Sequence, residues 1–283
     1  MPTINCQGRL FDLNTPRVMG ILNATPDSFY ANSRVQEDRK LLRKAEQMIT
    51  EGASFLDLGA FSSRPGADWV SEEEEQKRLL PALERLRQEF PDIPLSVDTF
   101  RASVAQKAID RGAAMINDIS GGTQEPQLLK IAAGNQVPVI LMHMRGTPQT
   151  MQDHTHYENV TLEVAHYLSE QRDAAYAAGV TDVIIDPGFG FAKTRAQNFE
   201  LLNKLEILQR LECPVLVGLS RKSMIFQTLK KDAADALHGT TVLHSIALIK
   251  GAHLLRVHDV GEAMDCIALI QALQETTSTH INV

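Results

Sequence analysis

Val183-Ile184-Ile185-Asp186-Pro187-Gly188-Phe189-Gly190-Phe191 joins a short apolar run to a carboxylate, a proline and two glycines that each precede a phenylalanine. The apolar run reads as a strand buried on both faces. The proline and glycines end it and open a tight loop. Asp186 therefore stands where a buried strand meets a loop. A carboxylate there is costly unless a partner or a ligand compensates it. The fold and the function both turn on whether other strands bring polar groups to the same rim.

Seven further apolar runs have this character: Val18–Leu22, Phe55–Leu58, Leu95–Val97, Met115–Ile119, Val139–Met142, Val215–Leu219 and Leu254–Val257. Helical patterns separate them, over 36–50, 71–89, 101–111, 126–134, 157–178, 197–210, 235–250 and 261–275. Ser71-Glu72-Glu73-Glu74 has the form of a capping-box start. Gly52, Gly112, Gly179 and Gly251 stand where helices are expected to end. Residues 3–14 read as a hairpin turning at Gln7-Gly8. Eight strands alternating with helices indicate an α/β protein, a (β/α)8 TIM barrel with a short N-terminal β-hairpin. A doubly wound sheet would usually carry GxGxxG after its first strand, and this chain does not. With no composition break, one domain over 1–283 is expected.

A net charge of −7 argues against general nucleic-acid binding but leaves room for a local basic pocket. No apolar run approaches the roughly 18–20 residues that a membrane span needs. Met1-Pro2-Thr3-Ile4-Asn5 lacks the basic and apolar regions of a signal peptide. A cytoplasmic protein with no membrane partner is expected. Cys6, Cys213 and Cys266 are far apart and form no CxxC, so they are expected as buried, reduced thiols. His154 and His156 form an HxH pair in a polar loop and read as solvated.

In a parallel barrel, reactive groups gather at the C-terminal ends of the strands. Those ends carry Asn23, Asp57, Asp98, Asn117-Asp118, His143, Asp186, Ser220-Arg221-Lys222-Ser223 and Arg256 with His258-Asp259. One such residue could be a helix cap or a satisfied core group. Eight sets together indicate a shared ligand site. Asp98, Asn117 and Asp186 suit a flat heterocycle rich in N–H donors. Arg64, Arg221, Lys222, Arg256 and His258 suit a phosphate or pyrophosphate. Asn23 is a neutral oxygen ligand for Mg²⁺ beside that phosphate. Ile119, Met142, Phe191 and Gly218 can form flat apolar walls. Phe189 reads more readily as core packing.

These motifs, in this order, resemble the dihydropteroate synthase family. The similar segments are Ile21-Leu22-Asn23-Ala24-Thr25-Pro26-Asp27-Ser28-Phe29, Asp57-Leu58-Gly59 with Ser63-Arg64-Pro65-Gly66, Ser96-Val97-Asp98-Thr99 and Ile116-Asn117-Asp118. Leu141-Met142-His143-Met144, the Asp186–Phe191 loop, Ser220-Arg221-Lys222-Ser223 and Arg256-Val257-His258-Asp259 continue the series. The resemblance covers about residues 4 to 275. It implies a transferase of folate biosynthesis that joins 6-hydroxymethyl-7,8-dihydropterin pyrophosphate to p-aminobenzoate, with sulfonamides as competitors. It also implies a homodimer.

The resemblance assigns roles residue by residue. Asp98, Asn117, Ile119, Met142, Asp186, Phe191, Gly218, Lys222 and Arg256 would bind the pterin, with Asp98, Asp186 and Lys222 catalytic. Asn23, Arg64, Arg256 and His258 would hold pyrophosphate, with Mg²⁺ on Asn23. Ser63, Arg64, Pro65, Phe191, Lys222 and Ser223 would surround p-aminobenzoate. Two loops depart from the family. Where many members read Asp-Ser-Phe-Ser-Asp-Gly-Gly, this chain reads Asp27-Ser28-Phe29-Tyr30-Ala31-Asn32-Ser33. Where many read Gly-Gly-Glu-Ser-Thr-Arg-Pro-Gly, it reads Gly59-Ala60-Phe61-Ser62-Ser63-Arg64-Pro65-Gly66. A methyltransferase that passes a methyl group to a corrinoid, or a non-catalytic pterin-binding barrel, are the rival readings. The former needs neither the Arg-Pro loop nor Ser-Arg-Lys-Ser.

Overall fold

A computed structural model describes residues 2–24, 31–61 and 69–278. The N-terminal hairpin pairs β1 (Thr3–Cys6) with β2 (Arg9–Asp12). Its turn residues have positive φ, 53° at Gln7 and 85° at Gly8, the geometry of a tight two-residue hairpin. Eight parallel strands follow: β3 (Arg17–Asn23), β4 (Phe55–Gly59), β5 (Leu95–Asp98), β6 (Met115–Asp118), β7 (Val139–Met142), β8 (Val183–Asp186), β9 (Leu216–Val217) and β10 (Leu254–Val257). Each pairs with its sequence neighbour, and β10 also pairs with β3. A bridge between Ile185 and Val215 joins β8 to β9 and completes the ring. The barrel expected from the strand–helix rhythm is the observed architecture. Within it, β9 is much shorter than the apolar run that encodes it.

Helices connect the strands: α1 (Ala31–Thr50), α2 (Glu72–Glu89), α3 (Ala102–Ile109), α4 (Gln127–Gly134), α5 (Val160–Ala177), α6 (Arg195–Asn203), α7 (Ser223–Leu229), α8 (Leu237–Ile249) and α9 (Val260–Ser278). Ser71 accepts from the Glu74 amide at 3.2 Å and caps α2. The full reciprocal box occurs instead at α6, between Thr194 and Gln197. The pattern over 197–210 is not one helix. α6 gives way to a 3-10 segment, Leu205–Leu211, which ends in left-handed Glu212. Gly52, Gly112, Gly179 and Gly251 all have φ near +90 to +104°, as expected of glycines that end helices.

Alternation along each strand explains where the site lies. Met19, Phe55, Met115, Ile140, Ile184, Leu216 and Leu254 point into the barrel and pack on Ile4, Phe11 and Leu13 of the hairpin segment, which plugs the N-terminal end. Their neighbours Val18, Leu56, Ile116, Leu141, Ile185, Val217 and Leu255 belong to the separate layer between barrel and helices. A strand repeats its facing every two residues. Two steps up from the apolar floor therefore lie Ile21, Asp57, Asn117, Met142, Asp186, Gly218 and Arg256. The interior changes from oily to ionic within one layer.

Candidate active site

Asp57 and Arg256 occupy the centre of the ionic layer. Arg256 donates from Nε to Asp57 Oδ2 at 2.6 Å and from Nη2 to Asp98 Oδ2 at 2.8 Å. Asn117 Nδ2 donates to the same Asp57 oxygen at 3.0 Å. Strand register sets this up, because Asp98 pairs with Asn117 and Gly59, and Asp57 with Ser96. Gly59 lies against Asp98, and a Cβ there would meet the Asp98 Cβ at an ordinary contact distance of 3.6 Å. Asp57 Oδ1, Asp98 Oδ1 and Ser96 Oγ are buried and accept no hydrogen bond among the described residues. Unsatisfied buried acceptors of this kind are rare and call for a donor. Burial pushes the Asp98 carboxyl up to about 7, against the pull of Arg256. Burial opposes the Arg256 charge, but Asp57 and Asp98 hold it above its ordinary value.

Asp186 faces this pair from β8, beside Met142 in register. Its Oδ1 accepts from the Gly188 amide at 2.7 Å. Burial raises its pKa, while Lys222 and that amide pull it down. Gly188 has φ +67°, and a Cβ there would drive into the His143 carbonyl oxygen, so only glycine fits. Lys222 caps α7, donates from Nζ to the Phe189 carbonyl, and lies 4.8 Å from the Phe191 ring centroid. Burial lowers its pKa to about 8, although Asp186 opposes the shift. Gly190 and Gly218 flank the Lys222 side chain; a Cβ at Gly190 would crowd it at 3.2 Å, whereas one at Gly218 would only touch it at 3.8 Å.

The apolar wall is a separate cluster of Phe100, Ile119, Met142, Met144, Met151 and Ala192, with Phe61 and Phe191 packed on it. Phe189 is fully buried in the core, whereas Phe191 is half-buried beside the site. On the rim, Ser220 Oγ and His258 Nδ1 lie 3.0 Å apart. Ser223 opens α7 and is exposed, as is Asn23 at the end of β3. Ser63, Arg64 and Pro65 lie outside the described residues, as do Thr25 to Tyr30.

Three polar groups at strand ends are not part of this constellation. Asp118 points the other way from Asn117 and accepts from the Ser120 and Gly122 amides, at 2.7 and 2.8 Å, bracing the turn after β6. Asp259 takes Arg221 in a two-pronged ion pair, both contacts at 2.8 Å, and Arg221 also donates to the Ala234 carbonyl. Arg221 is therefore a structural clamp rather than part of the basic patch expected for an anion. His154 and His156 are exposed, and the described residues hold no group of three or more His, Cys, Asp or Glu placed for a metal. All three cysteines are buried and free.

Two participants carry no assigned role in the sequence reading. Asp57 sits inside a strand of otherwise apolar residues, and that cost was a usable signal. Lys193 is buried, with Nζ 2.9 Å from His143 Nδ1, 3.0 Å from the Gly188 carbonyl and 3.1 Å from the Phe191 carbonyl. A lone lysine after a glycine loop looks solvated, and nothing in the sequence distinguishes it.

A parallel barrel whose mouth combines orphaned carboxylate oxygens, a flat apolar wall and basic rim groups defines an enzyme for a planar, donor-rich small molecule. Residues 19–258 match the family described as pterin binding enzyme, and the chain belongs to it. The dihydropteroate synthase of Synechocystis sp. is 48% identical over 250 residues, covering 87% of this chain and 86% of that one. The Yersinia pestis dihydropteroate synthase, solved with a sulfonamide drug complex, superposes with a TM-score of 0.90 at 40% identity, covering 96% and 99% of the two chains. The Xanthomonas albilineans dihydropteroate synthase, solved with 4-aminobenzoic acid, gives 0.88 at 42% identity, covering 96% and 98%. Among pterin-binding enzymes, the chain falls with the dihydropteroate synthases. Among the described residues, no helix is long and apolar enough to cross a membrane.

Proposed function

We propose that this chain joins 6-hydroxymethyl-7,8-dihydropterin pyrophosphate to p-aminobenzoate, releasing pyrophosphate and forming 7,8-dihydropteroate, and that the residues above divide the work. The observation that carries the reading is the pair of buried, unsatisfied oxygens on Asp57 and Asp98, opposite Asp186. The amino and ring N–H groups of a pterin are the donors such acceptors need. Asn117, having given its Nδ2 to Asp57, keeps its amide oxygen for a ligand. Ile119, Met142, Phe191 and Gly218 would then bound the ring, with Lys222 among its contacts and Arg256 against its face.

The reaction needs no enzyme nucleophile. Departure of pyrophosphate leaves a cation delocalised into the electron-rich ring, and the aromatic amine attacks the exocyclic carbon. Asp98 and Asp186 are preorganised to stabilise that cation electrostatically. Arg256 has committed Nε and Nη2 to the two carboxylates, and His258 is held by Ser220 on the same rim. Both are assigned to the departing pyrophosphate, as is Arg64, which lies outside the described residues. Ser63, Arg64, Pro65, Phe191, Lys222 and Ser223 are assigned to p-aminobenzoate, the position at which sulfonamides would compete.

Asn23 is exposed and offers one neutral oxygen, and the described residues hold no metal-ready cluster of carboxylates or histidines. That donor set fits Mg²⁺, which usually keeps several waters and takes substrate phosphate oxygens rather than an all-protein cage. When bound, the ion would neutralise charge on the departing pyrophosphate. The test of the whole reading is twofold. The gene should restore growth to a folate auxotroph lacking its synthase, and the purified protein should form dihydropteroate from both substrates with Mg²⁺. Failure of both rejects the synthase reading in favour of a pterin-binding barrel without this activity.

A further inference from the structure

The Gly188–Phe191 loop turns through positive φ at Gly188 and Gly190, and Ala192 follows at +48°. The Gly188 carbonyl accepts from the Phe191 amide at 3.1 Å within the turn, and the turn's carbonyls have no strand or helix partners, which leaves room for side-chain donors. Lys222 takes the Phe189 carbonyl. Lys193 takes the Gly188 and Phe191 carbonyls, and its third contact is the His143 ring. Asn198 of α6 completes the splint, accepting from the Gly190 amide at 2.7 Å and donating to the Lys193 and Thr194 carbonyls.

Lys193 is an odd choice for a mere filler. It is 4% exposed and forms no ion pair within 4.0 Å among the described residues. A buried ammonium is costly, and a methionine would fill the space more cheaply. Its three acceptors match the three N–H bonds of an ammonium. Burial pulls the Lys193 ammonium well below its ordinary pKa, with Asp186 opposing the shift; an Nζ that donates to Nδ1 requires a neutral His143 ring, consistent with burial and then Lys193 driving the His143 pKa down to about 2.

We propose that Lys193 is a positioning residue of the pterin pocket: through the Gly188 and Phe191 carbonyls and the His143 ring, its ammonium fixes the loop on which Asp186 and Phe191 meet the substrate. This rests on the pterin reading of Asp186. The Gly188 amide that holds Asp186 belongs to the same peptide turn whose carbonyl Lys193 grips. The charge also matters. Asp186 is surrounded by Lys222, Arg256 and Lys193, and Lys193 in turn faces Asp186, His143, Arg145 and Lys222, while α6 contributes the neutral Asn198. Removing one cation from this set makes Asp186 harder to ionise.

The test compares wild type with Lys193→Met and Lys193→Ala. For the folded variants, kcat/KM for the pterin pyrophosphate should fall roughly 30-fold or more, as expected for losing charged hydrogen bonds to two carbonyls. The KM for p-aminobenzoate should change less. The acidic limb of the kcat/KM profile should move to higher pH by about half a unit or more, because Asp186 loses a positive neighbour. Methylammonium should partly restore Lys193→Ala, whereas tetramethylammonium, which cannot donate, should not. A filler role would leave the acidic limb in place, give no amine rescue and cost only thermal stability, and any of these overturns the inference. If neither variant folds, the wild-type ¹⁵N spectrum decides: a Lys193 ammonium coupled to His143 Nδ1 at neutral pH supports it, and a neutral amine overturns it. A wild-type protein that makes no dihydropteroate rejects the function instead. An active wild type with unperturbed variants rejects this inference alone.

Discussion

Asp98→Asn separates two forces that oppose each other at the centre of the site. Burial penalises the Asp98 charge, and Arg256 at 2.8 Å rewards it. The balance favours burial, with the pKa rising from 3.8 to about 7. At 1.36 kcal/mol per unit, that rise is a penalty of about 4 kcal/mol on the ligand-free fold once Asp98 is ionised. The sign follows from linkage. A carboxylate whose folded pKa exceeds its unfolded value binds its proton more tightly when folded. The fold is therefore most favoured at low pH and loses stability as pH rises towards 7, then levels off. The larger part of the penalty, on the order of 2–3 kcal/mol, accrues between pH 5 and pH 8. Asparagine has no proton to lose, and Arg256 keeps its contact with Asp57 at 2.6 Å. Urea unfolding of ligand-free wild type and Asp98→Asn, followed by circular dichroism from pH 5 to 8.5, gives the difference. Wild type minus variant should fall by roughly 2–3 kcal/mol across that window. The variant should bind pterin poorly despite its more robust fold. A difference that is flat, or that grows with pH, would show that Arg256 outweighs burial, and would refute the idea that the empty site is held in an electrostatically costly state.

The other predictions probe single contacts. Asp186→Asn exchanges an acceptor for a donor at the ring edge and weakens the Gly188 contact; pterin affinity measured by calorimetry should fall roughly 30- to 100-fold. An unchanged affinity would remove Asp186 from the pocket. Gly188→Ala forces a Cβ against the His143 carbonyl in a left-handed conformation, so thermal melting should register a loss of about 3 kcal/mol or more. Asn23→Ala should raise the Mg²⁺ concentration needed for half-maximal activity about tenfold, in line with loss of one ion ligand, while pterin binding measured without Mg²⁺ stays the same.

How much of this was legible in the chain depends on which physical signal each residue carries. The barrel was legible because eight apolar runs alternate with amphipathic stretches, and only a few architectures bury that pattern. The true extent of β9 was not, since Val215–Leu219 is apolar enough for a longer strand, and pairing rather than hydropathy ends it at Val217. The 3-10 turn after α6 escaped for the same reason: Leu205 and Leu208 are buried at a spacing that an α-helix would also satisfy. Within the site, the alternation rule had more to give than residue type alone. Asn117 and Asp118 are adjacent and both polar. Only their opposite facings decide that one enters the pocket and the other braces a turn. The same parity retains Arg256 on β10, but it does not reach Arg221 and Asp259, which lie beyond the ends of β9 and β10 and pair with each other.

Asp57 shows where the rule could have reached further. It lies two residues above Phe55 on the inward face of β4, so it had to stand in the barrel, level with Arg256, as Phe55 stands level with the apolar floor. Its position makes it the hinge of the ionic layer: Arg256 and Asn117 both spend a donor on one of its oxygens and leave the other bare. The arrangement is strained toward binding. Two carboxylates share one guanidinium, and each keeps an unanswered acceptor in a site too buried for bulk water to answer it. A ligand that supplies N–H donors relieves that debt, and Asp186 across the barrel asks for the same chemistry. Lys193 marks the limit of sequence reading, because nothing local distinguishes a buried ammonium from a solvated one. Its burial follows from the path of a loop whose glycines turn their carbonyls inward, and that is visible only once the loop is built.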